Sequence, residues 1–307
     1  MLKEMLPMKL SILIPSKNCS YSMKTVQDVL DKAVGDIEVI VNVDDEWPDE
    51  IIKDERVKYL HPEKPIGMRG GINAGLRIAK GDYIMKTDDH CLFAKGFDKT
   101  LAEDMQKNWL VIPRRYPLHA DEWRRDERMP IKDYHYLAFP RIGSKYGLGL
   151  FPQEWKQRTY ERMNDPKYEI DDTMTFQGSC WFANRKYFME RVGLLDDSAD
   201  AYSTFSGEPL EIGLKYWLGG GEIKVNKKTW YAHLFKNRGY YAGRQKDKDY
   251  KLELKNIAGH TWACRHWMND EEPKMIHKFE WLVEKFWPIP TWEPDWREKW
   301  KKLNSAN

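Results

Sequence analysis

The chain has 307 residues, of which 41% are apolar and 32% charged. This length fits one large domain or two of moderate size, and apolar residues spread over the whole chain argue against disorder. With 50 basic and 48 acidic side chains the net charge is +2, which gives no electrostatic case for wholesale nucleic-acid binding. The chain has no run of 18 apolar residues, so we expect no stable insertion in a membrane.

The N-terminus and the cysteines indicate the cellular compartment in which we expect the protein. Residues 1–8 lack the apolar core of a secretory signal peptide. The four cysteines are far apart and form no CxxC pair. We therefore expect neither a disulfide framework nor a structural zinc site, and we predict a cytoplasmic protein.

The first third of the chain alternates short apolar runs with segments of helical spacing. This alternation predicts an α/β domain with a mixed, mainly parallel sheet flanked by helices. Gly81 follows the second helix, where a left-handed residue is expected. The predicted strands are residues 9–15, 37–43, 56–60, 82–87 and 109–113, and the predicted helices are residues 22–34, 67–80 and 97–107.

Residues 114–172 are polar and aromatic with little periodicity, and we interpret them as an excursion that covers a substrate. Strands are predicted at 173–183, 222–225 and 229–232, with helices at 186–192 and 208–218. A charged, Trp-rich helical extension follows, and we expect its tryptophans to pack on the preceding domain. The predicted organisation is one domain over 1–242, divided into 8–113, 114–172 and 173–242, followed by the extension at 243–307.

Polar residues follow three of the predicted strands at their carboxyl ends. Ligands bind at this edge of an open parallel sheet, so we expect the three clusters to face one crevice. The clusters are Pro15-Ser16 after the first strand, Asp44-Asp45 after the second and Asp88-Asp89-His90 after the fourth.

The cluster after the fourth strand offers a carboxylate on Asp88 and an imidazole on His90, two residues apart. Both are ligands that Mn²⁺ accepts, and the bound ion would neutralise a diphosphate leaving group. A polar turn without a metal is an equal alternative. After the second strand, Asp44 or Asp45 would accept from a ribose hydroxyl or a base N–H, unless this segment is only a solvated loop.

The helix that begins at Gly67 is rich in glycine. Glycines at a helix N-terminus let the backbone approach a phosphate, and Arg69 would add a cation. The pattern is neither a Walker loop nor a GxGxxG fingerprint, so by itself it identifies no ligand.

Taken together, these segments resemble a known family. The first half resembles the nucleotide-binding half of GT-A glycosyltransferases, as in glycosyltransferase family 2, through IPSKN, VDDEWPDE and GMRGGINAGLRIAKGDYIMKTDDH. The second half is similar to the acceptor side of polypeptide N-acetylgalactosaminyltransferases through DTMTFQGSCWFA, SGEPLEIGLKYWLGGG and YAHLFK. The resemblance covers residues 9–241, with an uncertain alignment over 114–171.

The resemblance implies a UDP-sugar donor and a Mn²⁺ or Mg²⁺ ion. Its implied metal ligands are Asp88, His90 and His233, although a lone histidine is more often structural. The implied contacts to the nucleotide sugar are Pro15, Ser16, Asp44 or Asp45, Arg69, Asp88 and Asp89. The residues implied near the reacting groups are Arg69, Glu208, Glu211 and Lys236 in place of an arginine. Trp181 is a further candidate as a floor for the sugar, although a tryptophan in a strand is usually core.

The implied activity is transfer of a hexose or N-acetylhexosamine to a hydroxyl group. Inverting members of family 2 usually place a general-base aspartate just after the position of Glu208, where this chain has Pro209. The polypeptide-transferring enzymes retain configuration and have an amide there, so we expect retention, with inversion through Glu208 left open.

The acceptor and the reaction class leave alternatives. The acceptor is a glycan or a hydroxylated base in DNA, which would suit the arginines and aromatics of residues 114–172. A nucleotidyltransferase is a second hypothesis, although no glycine-rich loop follows the first strand. A non-catalytic module that binds a sugar nucleotide or a glycan is the third.

Overall fold

The computed structural model describes residues 9–141, 148–198, 201–202, 207–235 and 250–305, with side chains described from residue 258 in the last range. Lys236 and the predicted domain boundary at 242/243 lie outside the described residues. Within the described ranges, no helix combines the length and the apolar character needed to cross a bilayer.

A mixed sheet forms the centre of the structure. Its strands lie in the order β10-β12-β6-β11-β4-β1-β2-β3, with β5 beside β12 and β7 beside β6, while β8 and β9 pair separately. The strands are β1 (Leu10–Ser16), β2 (Ile37–Val43), β3 (Val57–Leu60), β4 (Tyr83–Thr87), β5 (Cys91–Phe93), β6 (Trp109–His119), β7 (Arg124–Arg125), β8 (His135–Leu137), β9 (Pro152–Glu154), β10 (Ile170–Asp172), β11 (Cys180–Asn184) and β12 (Glu222–His233).

Helices cover both faces of the sheet. Side chains alternate between the faces of a strand, so Ile12 of β1 packs in one apolar cluster and Leu13 in the other. The first cluster includes α1 and α3, and the second includes α2, α5, α6 and the C-terminal helices. The helices are α1 (Ser22–Lys32), α2 (Gly67–Ile78), α3 (Phe97–Glu103), α4 (Lys156–Arg162), a 3₁₀ turn (Pro166–Tyr168), α5 (Arg185–Arg191), α6 (Glu208–Leu218), α7 (Tyr250–Met268), α8 (Phe279–Phe286) and α9 (Trp296–Ser305).

The parallel part of the sheet sets the position of the site. β1 lies between β2 and β4, parallel to both, and β11 runs antiparallel between β4 and β6. The carboxyl ends of β1, β2 and β4 therefore reach the same edge. This arrangement confirms the predicted α/β architecture, and all three polar clusters follow strand ends at that edge.

Several predicted element bounds are wrong. The strand at 109–113 continues to His119, and the strands at 222–225 and 229–232 are one strand with an irregularity between Asn226 and Trp230. The strand at 173–183 begins only at Cys180. Gly81 is not left-handed. A Cβ there would lie 2.6 Å from the Ser11 nitrogen, so close approach to β1 is what requires glycine.

Residues 114–172 contain more regular structure than their low periodicity indicates. They supply β7 to β10, α4 and the end of β6. Tyr134, Leu137 and Trp155 are buried in the same cluster as the C-terminal helices, and Trp292 donates to the Leu137 carbonyl at 2.6 Å. Much of this segment is therefore core.

The C-terminal helices pack on the sheet domain as predicted. Trp267, Trp292, Trp296 and Trp300 are buried in the cluster that contains α6. Trp287 differs, because 42% of its surface is exposed.

Candidate functional site

A carboxylate and two imidazoles meet at the carboxyl edge of the sheet. Asp88 and His90 follow β4 and precede β5, and His233 is the last residue of β12. β5 pairs antiparallel with β12 and places Cys91 opposite His233, and the Leu234 N–H donates to the His90 carbonyl at 3.1 Å. The sheet topology thus joins residues that lie far apart in sequence.

The donor atoms of this cluster are close enough to share one cation. Asp88 Oδ2 lies 3.2 Å from His233 Nε2 and 3.9 Å from His90 Nε2, and all three ligand atoms fall within 4.8 Å of one another. Adjacent ligands of an octahedral ion with bonds of about 2.1 Å lie roughly 3 Å apart. One carboxylate with two imidazoles is a donor set that suits Mn²⁺, so the residues present fit a divalent metal.

Surrounding groups orient His90 and set the charge states of His233 and Asp88. His90 Nδ1 lies 2.7 Å from Asp89 Oδ1, a carboxylate–imidazole contact that orients the other ring nitrogen toward a cation. Burial lowers the pKa of His233 to about 4, so its ring is neutral at pH 7. Burial would raise the pKa of Asp88, but the Lys86 charge and the His233 hydrogen bond outweigh it and hold this pKa well below its ordinary value.

Behind Asp88 lies a buried group of three polar side chains. Lys86 Nζ is 2.7 Å from Asp88 Oδ1 and 3.3 Å from Glu208 Oε2, and Trp181 Nε1 donates to Glu208 Oε1 at 2.6 Å. Burial raises the pKa of Glu208, against the opposing charge of Lys86. Trp181 has no exposed surface, so its ring does not line an open sugar surface.

Lys86 was not among the residues singled out from the sequence. The signal for it is a charge inside the apolar strand YIMKT. A lysine is rarely fully buried unless it is paired, and this one has no exposed surface.

A cavity of about 480 Å³ opens beside the ends of β1 and β2. Ser16, Asn18, Cys19 and Trp47 contribute to its wall. Pro15 precedes Ser16 on β1 and is partly buried. The Cys19 thiol donates to the Asp89 carbonyl at 3.5 Å. The cavity therefore adjoins the segment that carries Asp88 and His90, which with His233 form the metal-type cluster.

The two aspartates after β2 have different environments. Asp44 is 3% exposed, and its two carboxylate oxygens accept from the Ile66 N–H at 2.7 Å and the Gly67 N–H at 3.0 Å. Asp45 is exposed, with a φ of 98°, and accepts from Asn18 Nδ2 at 3.2 Å. Asp44 thus occupies the start of α2, where a phosphate was considered from the sequence.

The glycines of α2 allow the helix to pack closely. A Cβ on Gly71 would lie 2.9 Å from Asn42 Nδ2, and one on Gly75 would lie 2.9 Å from Leu13 Cδ2. Both neighbours belong to the sheet, on β2 and β1. These two glycines therefore let α2 approach the sheet.

Arg69 and Glu211 form a buried ion pair between α2 and α6. Their side chains are 0% and 1% exposed. Arg69 Nε donates to the Asp196 carbonyl at 2.7 Å, its guanidinium lies 4.5 Å from the centre of the Tyr202 ring, and Lys215 Nζ is 2.6 Å from Glu211 Oε1. The structure therefore places Arg69 inside the protein, and its contact with a diphosphate stays a prediction.

Comparisons with known proteins agree with this architecture. Polypeptide N-acetylgalactosaminyltransferase 5 of Caenorhabditis elegans is 25% identical over 194 residues, which cover 62% of this chain and 29% of that protein. Polypeptide N-acetylgalactosaminyltransferase 11 of Xenopus tropicalis is 24% identical over 254 residues, which cover 77% and 39%. The chain thus spans about a third of the length of these curated relatives.

A solved structure shares the fold. The crystal structure of GalNAc-T7 with UDP, GalNAc and Mn²⁺ superposes with a TM-score of 0.63 at 16% identity, over 97% of this chain and 55% of that one. The fold is therefore that of the GT-A glycosyltransferases. The model of the family described as glycosyl transferase family 2 matches residues 11–192, which is more than half of the sequence, and the chain belongs to this family.

Proposed function

We propose that this protein is a metal-dependent glycosyltransferase that moves a sugar from a UDP-sugar to a hydroxyl group, with retention of configuration. The observation that carries the proposal is the cluster of Asp88, His90 and His233 at the carboxyl edge of the sheet, within 4.8 Å of one another. The GalNAc-T7 structure, which shares the fold, holds UDP and Mn²⁺. A divalent ion on these residues would neutralise charge on the diphosphate leaving group.

The cavity beside β1 and β2 is the place we assign to the nucleoside. It adjoins the metal-type cluster through Cys19 and Asp89. Trp47 is 47% exposed and lies in its wall, where an aromatic face would pack against a base. Of the two aspartates after β2, Asp45 is exposed, whereas the carboxylate of Asp44 accepts from two N–H groups at the start of α2, so we assign the contact to the uracil N–H to Asp45.

Retention is supported by the environment of Glu208. This residue is 1% exposed, and its two oxygens face Trp181 and Lys86. A general base must reach the proton that it removes, and both oxygens of Glu208 are already held by buried donors. The next residue is Pro209, which has no group that takes a proton.

A glycan hydroxyl is the acceptor that we favour. The three arginines between β6 and β8 each have an acidic partner: Arg124 pairs with Glu122, Arg125 with Glu127 and Arg128 with Asp126. Paired charges leave little net attraction for a phosphodiester backbone. A hydroxylated base in DNA is therefore the second acceptor to be tested, after a glycan.

The proposal is tested by incubating the protein with Mn²⁺ and UDP-GalNAc, UDP-GlcNAc or UDP-glucose and measuring UDP release. We expect slow hydrolysis of one donor, faster release with a glycan acceptor, and an α-linked product by NMR. His233→Ala should abolish release, whereas His277→Ala, a histidine that stacks on Trp281, should not change it. A β-linked product would overturn retention. Turnover that persists in EDTA would overturn the metal requirement.

A further inference from the structure

We propose that Lys86 is a positioning residue that orients the metal-binding carboxylate of Asp88 and ties it to Glu208 on α6. The inference rests on the proposed function, because it takes Asp88 to be a metal ligand. It concerns a residue that neither the sequence motifs nor the family resemblance singled out.

The ammonium group of Lys86 is surrounded by three acceptors. Nζ lies 2.7 Å from Asp88 Oδ1, 2.5 Å from the Gly178 carbonyl and 3.3 Å from Glu208 Oε2. A lysine ammonium has three N–H donors and no acceptor, so all three donors are used. The side chain is 1% exposed, so water does not compete for these positions.

This contact gives the two carboxylate oxygens of Asp88 different partners. Lys86 takes Oδ1, and Oδ2 is the atom that lies near both imidazoles. Asp88 is 23% exposed and would otherwise rotate, because the terminal torsion of an aspartate is broad. A carboxylate held on one oxygen offers the other in a fixed direction. Groups that orient a metal ligand in this way typically change metal affinity 10–100-fold when removed.

The same ammonium joins three parts of the fold. Lys86 on β4 is the cross-strand partner of Trp181 on β11, and the two side chains contact the two oxygens of Glu208 on α6. A Cβ on Gly178 would lie 2.8 Å from Glu208 Oε2, so glycine leaves the space in which this carboxylate sits. The position of Asp88 is thereby coupled to the helix on the acceptor side.

An alternative is that Lys86 serves only to neutralise the buried Glu208. Two variants separate the two roles. Lys86→Met removes the anchor of Asp88 and also leaves Glu208 uncompensated, whereas Lys86→Met/Glu208→Gln removes the anchor without leaving that charge. The double variant also guards against loss of the fold, because removing a buried charge together with its partner is often well tolerated.

Mn²⁺ affinity, measured by EPR of the free aqueous ion at fixed UDP, is the readout. We expect Lys86→Met and the double variant to bind Mn²⁺ 10–100-fold more weakly than the wild type, and Glu208→Gln to bind within about threefold of it. The matched control is Lys224→Met. Lys224 also bridges two carboxylates, Asp172 and Glu222, at the far end of β12, and its replacement should leave Mn²⁺ affinity unchanged.

The outcomes distinguish this inference from the proposed function. Recovery of wild-type affinity in the double variant would show that Lys86 only neutralises Glu208, and would overturn the inference while leaving the metal site intact. Wild-type affinity in folded Lys86→Met would overturn it as well. Wild-type protein that binds no Mn²⁺, with no change in His233→Ala, would overturn both the metal site and the role of Lys86.

Discussion

Replacing Arg69 with methionine should destabilise the fold and not simply remove a ligand contact. Arg69 and Glu211 are 0% and 1% exposed, so the substitution leaves a buried carboxylate that has lost a partner. Breaking a buried ion pair in this way costs about 3–5 kcal/mol. Because Lys215 remains 2.6 Å from Glu211 Oε1, we expect the lower end of this range, about 3 kcal/mol.

Urea denaturation followed by tryptophan fluorescence measures this free energy of unfolding. Arg69→Met/Glu211→Gln should be more stable than Arg69→Met by at least about 1 kcal/mol, because no uncompensated carboxylate remains. The control is Arg297→Met. Arg297 pairs with Glu280, and the two side chains are 44% and 46% exposed. Loss of this exposed pair should change the free energy of unfolding by less than about 1 kcal/mol. Arg69→Met with wild-type stability but without UDP binding would show instead that Arg69 contacts the ligand and does not stabilise the fold.

Two further substitutions test assignments at and near the sheet edge. Asp44→Ala should lower the free energy of unfolding by about 1–2 kcal/mol, because two N–H groups at the start of α2 lose their acceptor. Asp45→Asn should leave this free energy unchanged and weaken UDP binding. The reverse pattern in urea denaturation and UDP titration would exchange the roles of the two residues. Burial raises the pKa of Asp28 from 3.8 to about 6. Between these pH values the folded state therefore binds more protons than the unfolded state. The fold loses stability as the pH rises, because the buried carboxyl group must ionise. Asp28→Asn should therefore gain stability over the wild type between pH 4 and pH 7, by at most about 3 kcal/mol, and a gain that does not grow with pH would contradict this.

Local features made much of the site predictable. Buried strands such as Ile37–Val43 each end in polar residues, and parallel pairing places those ends on one edge. Asp88 and His90 were found from their spacing after β4. His233 has no such local signal, because it meets Asp88 only through the pairing of β5 with β12, and it was identified from the family resemblance.

The remaining features depend on contacts between distant residues. The partners of Lys86 include Glu208, which lies 122 residues away in sequence, so nothing in the local pattern reveals that they meet. The core role of residues 114–172 could not be predicted, because Tyr134 and Trp155 lie beside strands of only three residues, β8 and β9. Such strands are too short to show a period.

Calorimetric titration of UDP into the protein, first with Mn²⁺ and then with EDTA, tests whether Asp88, His90 and His233 hold a metal ion that binds the nucleotide. We expect UDP to bind with Mn²⁺, binding to be lost in EDTA, and affinity to fall strongly in Asp88→Ala and His233→Ala, whereas His277→Ala should behave as the wild type. UDP binding that is equal with Mn²⁺ and EDTA and unchanged in both site variants would contradict it.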